Sequence, residues 1–485
     1  MNLQWKVTRG VRVNLIVAIA LNLLRAVVLA VLARLLSPSD YGLVAAALVV
    51  VNPVKQILFN GVEQAAVLQS DLRPGATTSL FWMATGAAVA GIAILSIVVG
   101  LSPISSEFRN TIIALSFILL GLSLALVPRV LLRRELAFGR LAIAEATSMI
   151  LGFGVVSVAA ALAGYGSLSL VYGYVGQALI RALVSFLLCP GAVRGWCFDF
   201  QAVRPILSMA VRITKVSVLE IVHAQIMPAF IGAGLGTARL GQFSQATLLV
   251  EVPIQIIALS MTQVVSTGFR IVRDEVVQLR ETCQRLIETA SAITLPLCFG
   301  AAAAALPLVD VVLGPQWAEA GRVMPWLALG AACGVLGHFL GVMNEAAGRL
   351  EEKFLIQLVV TILLVLTLFF AVRIGLRECA QAYSFCAFVY LAGQAVLAGR
   401  TMRAGIAEML GWIAPGCICS ALIYGCVSAL QLLFPTLSPI LQLGLDIACC
   451  AILFFGLYTI FYPRLQRELL SLALPGKRSK IELVR

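Results

Sequence analysis

The chain has 485 residues, of which 61% are hydrophobic and 12% charged, and its formal net charge is +12. Soluble chains are about half apolar and about one quarter charged, so the composition excludes an ordinary soluble globular protein and predicts an integral membrane protein. No stretch remains for a soluble catalytic domain, and the sequence has no Walker motif, no HExxH and only two histidines, which removes the common enzyme signatures.

Apolar runs long enough to cross a hydrocarbon core of about 30 Å as helices recur from end to end. They predict fourteen helices, over 13–35, 41–59, 78–99, 111–128, 141–163, 167–188, 206–233, 243–265, 288–312, 322–345, 354–372, 379–398, 411–432 and 438–460. The first run is too long for a signal-peptide core and lacks a small-residue cleavage site, so it reads as a retained transmembrane helix. The twelve cysteines fall mostly within apolar runs, and the Cys417-x-Cys419 pair has no histidine or second pair nearby. They read as small buried hydrophobes, with no metal site.

Charge placement sets the predicted topology. With the N-terminus in the cytoplasm, 25 of the 35 Lys and Arg fall on that side, and six, Arg34, Arg109, Arg239, Arg322, Arg373 and Arg377, fall opposite. The remaining four, Arg25, Lys55, Arg181 and Lys215, lie within helices. This asymmetry predicts cytoplasmic N- and C-termini, and the basic charge reports topology rather than a nucleic-acid partner. Two cytoplasmic pieces read as interfacial. Residues 268–288 alternate charged and apolar residues at helical spacing, with Glu281 four before Arg285. The basic tail over 463–485 suits a short helix on anionic lipid headgroups.

An internal repeat organises the predicted helices. YGLVAAALVVVNPVKQI (41–57) and LGQFSQATLLVEVPIQII (240–257) each carry a glycine at the helix entrance, Gly42 or Gly241, and a proline 11 or 12 residues later, Pro53 or Pro253. An offset of six helices relates two units of the same membrane orientation by an axis along the membrane normal. The predicted fold is therefore all-α, with six-helix lobes over 1–200 and 201–400, two further helices over 401–462 and the tail over 463–485. Pro53, Pro228, Pro253 and Pro296 interrupt apolar runs, and read either as hinges around a central cavity or as static kinks.

Polar residues at bilayer depth cost roughly 3 kcal/mol when charged and normally face protein or water. At about 100° per residue, Asn14, Ala18, Asn22 and Arg25 share one face of the first helix, and Asn52, Lys55 and Gln56 one face of the second. Glu145, Ser148 and Gly152 align on the fifth, and Tyr174, Gln177, Arg181 and Ser185 on the sixth. Arg25 stands about 12 residues, or roughly 18 Å, from the near end of its helix, beyond snorkelling reach. It reads as a cavity-lining charge or as an arginine bonded to helix carbonyls. Arg181, nearer a helix end, reads equally as a snorkelling residue. In the second half, Glu220 and His223 are three apart and form a candidate proton-sharing pair, with Lys215 and Glu251 as further intramembrane charges. The first-half interior is net positive and the second net negative, so an anionic substrate is expected to lean on the first half. His338 and Asp446 lack a supporting stripe and read as structural.

Three stretches carry a family resemblance: ARLLSPSDYGLVAAALVV (33–50), RVLLRRELAFGRLAIAEATSMILGFG (129–154) and VDVVLGPQWAEAGRVMPWLALGA (309–331). In these the chain resembles bacterial polysaccharide exporters of the lipid-linked oligosaccharide flippase type, within the multidrug/oligosaccharidyl-lipid/polysaccharide exporter superfamily. The resemblance covers about residues 10–400. It implies a V-shaped pair of six-helix lobes in the bacterial inner membrane that moves an undecaprenyl-pyrophosphate-linked repeat unit for exopolysaccharide, capsule or O-antigen assembly. It further implies a cationic cavity, matched by helix to Arg25, Lys55 and Lys215; the polar faces described above add Arg181, Asn22 and Asn52 as candidate substrate contacts. Guanidinium and ammonium groups replace the hydration that a diphosphate would otherwise lose. The chain departs from relatives in the seventh helix, where IVHAQIMPAF (221–230) replaces an Asn/Asp-rich stretch. Glu145, Glu220, His223 and Glu251 stand as candidates for proton or sodium coupling; no cofactor or metal is expected. The expected partners are the polyprenyl-pyrophosphate-linked oligosaccharide, anionic lipids, and the polymerase and glycosyltransferases of the same pathway. Competing readings are a lipid II flippase, a cation-coupled multidrug exporter, for which a carboxylate in helix 1 or 2 is wanted, and a lipid-linked glycan polymerase or ligase, for which a long outward loop is wanted.

Overall fold

A computed structural model describes residues 20–69, 75–193, 195, 198–272 and 276–461. Asn14, Ala18 and the basic tail lie outside them. The described chain runs as α1 (20–35), α2 (Pro38–Leu68), α3 (Ala76–Leu101), α4 (Ser106–Arg134), α5 (Phe138–Leu162), α6 (Ser167–Leu188), α7 (Phe200–Leu235) and α8 (Thr237–Val272). It continues as α9 (Val276–Ala303, followed by a short helix Ala305–Val312), α10 (Pro315–Ala346), α11 (Leu350–Ala371), α12 (Leu376–Met402), α13 (Ile406–Leu433) and α14 (Pro439–Phe461). No strand occurs among the described residues. Twelve of these helices contain a window long and apolar enough to cross a membrane; α1, described only from residue 20, and α8 complete the fourteen. This is an all-α, multi-pass membrane protein.

The helices outrun the apolar runs that predict them. Charged residues at the ends of α2, α4 and α9 continue the helical ladder rather than breaking into loops, because long charged side chains are good helix formers. Residues 268–288 accordingly form no separate interfacial element: they are divided between α8 and α9, with 273–275 outside the described residues. Glu281 and Arg285 do pair, at 3.9 Å on an exposed face.

Local signals start the helices. Ser37 caps α2, its hydroxyl accepting from the Asp40 amide at 3.2 Å while the Asp40 carboxylate takes the Ser37 amide at 3.0 Å, a reciprocal capping box with Pro38 at the first helical position. Asp199 caps α7 by accepting from Gln201 and Ala202. Gly236, at φ +88°, makes the turn between α7 and α8.

The chain separates into two compact units. The first comprises Met1–Val252, Val312–Ala320 and Thr361–Ala382. Small residues let its helices approach closely, as membrane packing requires. A Cβ on Gly121 would lie 2.6 Å from that of Ala178, and one on Gly152 2.5 Å from Gln177 Cα, so α4 and α5 grip α6 at consecutive residues. The repeat glycines meet: a side chain on Gly42 would strike the Thr237 carbonyl, and one on Gly241 the Pro38 carbonyl. Pro38 and Gly42 thus stand in α2 as Thr237 and Gly241 stand in α8.

The second unit comprises Pro253–Val311, Gly321–Val360 and Tyr383–Arg485. There Gly416 of α13 packs on the Ser291 carbonyl of α9, Arg280 bonds Glu408, and buried Asn344 donates to Gln394 at 2.9 Å. Asp446 is 1% exposed and accepts from Gln431 at 2.8 Å, a structural setting. Of the described cysteines most are buried, but Cys417 and Cys426 are exposed on the apolar surface of α13.

Candidate functional site

Within the first unit, six helices, α1, α2, α4, α6, α7 and α8, converge on two adjoining cavities. One, of about 300 Å³, is lined by Arg25 of α1, Asn52 and Lys55 of α2, and Tyr174, Gln177 and Arg181 of α6. The other, of about 260 Å³, shares Arg25, Asn52 and Tyr174 and adds Tyr41, Gln225, Ser244 and Gln245.

Backbone packing sets the cations. The grip of Gly121 and Gly152 on Gln177 and Ala178 fixes α6 one turn before Arg181. Pro53 cannot donate to the carbonyl four residues back, and within a turn α2 opens into a π segment over Gln56–Asn60, the kind of bulge that recurs at functional sites. A second π segment, Ser148–Val155, lies in α5 and contains Gly152. Lys55 Nζ donates to Asn52 Oδ1 at 3.0 Å, and the charges that act on Lys55 are those of Arg181 and Arg25. Among the described residues neither Arg25 nor Lys55 has a carboxylate within 4 Å.

Arg181 differs. Its Nη2 lies 2.9 Å from Glu145 Oε2, and Glu145 in turn lies 3.6 Å from Arg129. Arg129 reaches Glu63 at 3.5 Å, and Arg133 reaches the same carboxylate at 3.2 Å. This network spans α2, α4, α5 and α6, with three arginines to two glutamates. Sequence reasoning assigned Glu63, Arg129 and Arg133 to loops; the i, i+4 spacing of Arg129 and Arg133 is the signal that could have placed them on one helical face.

One wall of the second cavity is built on Tyr41. Its hydroxyl donates to the Leu29 carbonyl at 3.2 Å, and its ring meets that of Trp317 edge-on with centroids 5.3 Å apart. Fully buried Trp317 donates to the Ala33 carbonyl at 2.9 Å, and Gln316 donates to the Ala33 and Leu36 carbonyls at 2.6 and 3.1 Å. The Gly314–Trp317 turn thereby satisfies the carbonyls that end α1. Gln242 of α8 fastens the same turn, donating to the Gln316 carbonyl at 2.8 Å and accepting from the Ala320 amide at 2.9 Å.

The structure thus brings Arg25, Asn52, Lys55 and Arg181 together, with Glu145 behind Arg181. Asn22, three residues before Arg25, is half-buried and lines neither cavity. Glu251 lies on α8 in the field of Arg25. Lys215 and Glu220 are exposed on α7 and line neither cavity. The expected proton-sharing pair does not form among the described residues: His223 Nδ1 lies 3.0 Å from the Thr361 hydroxyl, which takes the place assigned to Glu220. The α8 wall of Ser244 and Gln245 was not foreseen; its signal is the polar SQ pair in an otherwise apolar run.

A family model described as polysaccharide biosynthesis protein matches residues 31–322. The lipopolysaccharide biosynthesis protein WzxC of Escherichia coli is 23% identical over 375 residues, 73% of each chain. The succinoglycan biosynthesis transport protein ExoT of Rhizobium meliloti is 27% identical over 311 residues, 63% of this chain and 62% of its own. Among solved structures, the lipid II flippase MurJ in an inward closed conformation superposes with a TM-score of 0.68 at 12% identity, covering 96% of this chain and 99% of its own. An inward-facing multidrug transporter of the MATE family gives 0.57 at 16% identity, covering 79% and 94%. These structures share the fold, and the named relatives are polysaccharide biosynthesis and transport proteins. The chain belongs to the polysaccharide biosynthesis protein family, as a Wzx-type multi-pass membrane transporter.

Proposed function

We propose that the protein is a flippase that carries polyprenyl-diphosphate-linked oligosaccharide repeat units across the bacterial inner membrane, for exopolysaccharide, capsule or O-antigen assembly. Arg25 and Lys55 hold the diphosphate, with Arg181 and Asn52 beside them. The observation that carries this reading is one cavity lined by three cations, two of which have no carboxylate partner among the described residues. Arg25 is exposed and Lys55 half-buried in helices at bilayer depth, where a charge needs water or a countercharge, and a diphosphate supplies that countercharge while the polyprenyl tail stays in lipid. A multidrug exporter of cations would want a carboxylate where α1 and α2 carry Arg25 and Lys55. The repeat glycines in contact support a six-plus-six arrangement working by alternating access, and the lysine and arginine asymmetry supports cytoplasmic termini. Glu251 of α8, in the field of Arg25, is the residue we assign to proton or sodium coupling.

Arg25→Ala and Lys55→Ala each remove a charge-assisted contact of about 1.5–3 kcal/mol, so surface polysaccharide falls by roughly 10- to 100-fold while membrane abundance holds and lipid-linked repeat units accumulate inside. Normal polymer output from both variants would falsify the assignment.

A further inference from the structure

The second cavity differs in chemistry from the cation cluster beside it. Apart from Arg25 at the shared border, its polar lining is uncharged: Tyr41, whose hydroxyl is engaged by the Leu29 carbonyl, with Asn52, Tyr174, Gln225, Ser244 and Gln245. Gln245 is 3% exposed, and its Oε1 has no hydrogen-bond partner. A buried amide oxygen left unbonded is costly in a finished structure, and Gln245 is a lining residue of the cavity, so its terminal amide has hydrogen-bonding capacity unfilled, with the oxygen or the N–H2 group presented according to a half-turn of the amide. Around it stand a second amide, Gln225, the Ser244 hydroxyl and the Tyr174 ring, which is held 5.0 Å from Phe153 between centroids.

An uncharged sugar ring fits this set. Its edge offers hydroxyl or N-acetyl N–H donors to amide oxygens and acceptors to amide N–H groups, and its C–H face packs on an aromatic ring. The repeat makes the wall specific to α8, because Ser244 and Gln245 stand where α2 has Ala45 and Ala46. We infer that Gln245, with Gln225, Ser244 and Tyr174, forms a subsite for an uncharged sugar joined directly to the diphosphate, and that the Gln245 side-chain amide hydrogen-bonds to it. This rests on the flippase reading above, with the diphosphate on Arg25 and Lys55.

The test is equilibrium binding to the purified full chain in nanodiscs, with two probes: polyprenyl diphosphate bearing one uncharged hexose, and bare polyprenyl diphosphate. Gln245→Leu is expected to weaken binding of the glycosylated lipid about tenfold and to leave the bare lipid unchanged. Gln225→Leu, a less buried position, is expected to act in the same direction, and Arg25→Ala to weaken both lipids. Undiminished glycolipid binding by folded Gln245→Leu and Gln225→Leu overturns the subsite, as does an equal loss for both lipids. If the wild-type chain binds neither lipid, or Arg25→Ala leaves bare-lipid binding intact, the flippase reading fails and the subsite with it.

Discussion

α2 and α8 enter the first unit in the same way and do different things there. Each begins beside a glycine that faces a carbonyl of the other, Gly42 against Thr237 and Gly241 against Pro38. From that shared crossing the side chains diverge: Leu43, Ala45 and Asn52 in α2 stand where α8 has Gln242, Ser244 and Glu251. α2 keeps a bare wall and then presents Lys55; α8 presents amides and a hydroxyl and then a carboxylate. A repeated backbone thus builds one cavity with two chemically distinct sides. What is repeated is the approach of the helices, and what is varied is their cargo of polar groups.

Substitutions that make one helix more like the other, or abolish what they share, probe this difference. The largest effect is expected at the crossing. Gly42→Leu or Gly241→Leu drives a side chain into backbone that cannot repack, costing more than the roughly 1–3 kcal/mol of ordinary overpacking; membrane abundance and the detergent unfolding temperature should both fall sharply. Next comes Asn52→Asp, an isosteric step toward the carboxylate of α8. It sets a negative charge on the oxygen that now accepts from Lys55 at 3.0 Å, and transport of lipid-linked substrate should fall about tenfold with abundance unchanged. Gln242→Leu gives α8 the residue α2 carries. It strands the Ala320 amide and should cost about 1–3 kcal/mol, read as a lower unfolding temperature. Ala45→Ser, the reverse graft, should change stability by less than about 0.5 kcal/mol; a larger shift would mean that the α2 wall is packed more tightly than its half-buried state indicates.

Much of this was legible in sequence because the membrane enforces simple rules. Apolar length marks the helices, a charge in such a run marks an inward face, and Arg25, Asn52, Lys55 and Arg181 all converge on the cavity that helical angles suggested. Two features escaped for physical reasons. Glu63, Arg129 and Arg133 sit where hydropathy falls, so they read as loop residues although α2 and α4 extend to bring them into one ion-pair network. The angular reading also gives which residues share a face, not which face turns inward: of the α7 candidates Lys215, Glu220 and His223, the first two are exposed, whereas Ser244 and Gln245, without a charge to flag them, line the cavity.

The π segment of α2 gives this helix an adjustable phase. Lys55 lies just before the widened turn and Glu63 just after it, and the two serve different assemblies, the cation cavity and the arginine–glutamate network. Closing the widened turn to α spacing with no residue removed would turn everything beyond it by about 100°. Every side chain would survive, yet Glu63 would no longer aim at Arg129 while Lys55 kept its place. The division of labour along α2 is therefore set by how its ladder is wound as much as by residue chemistry.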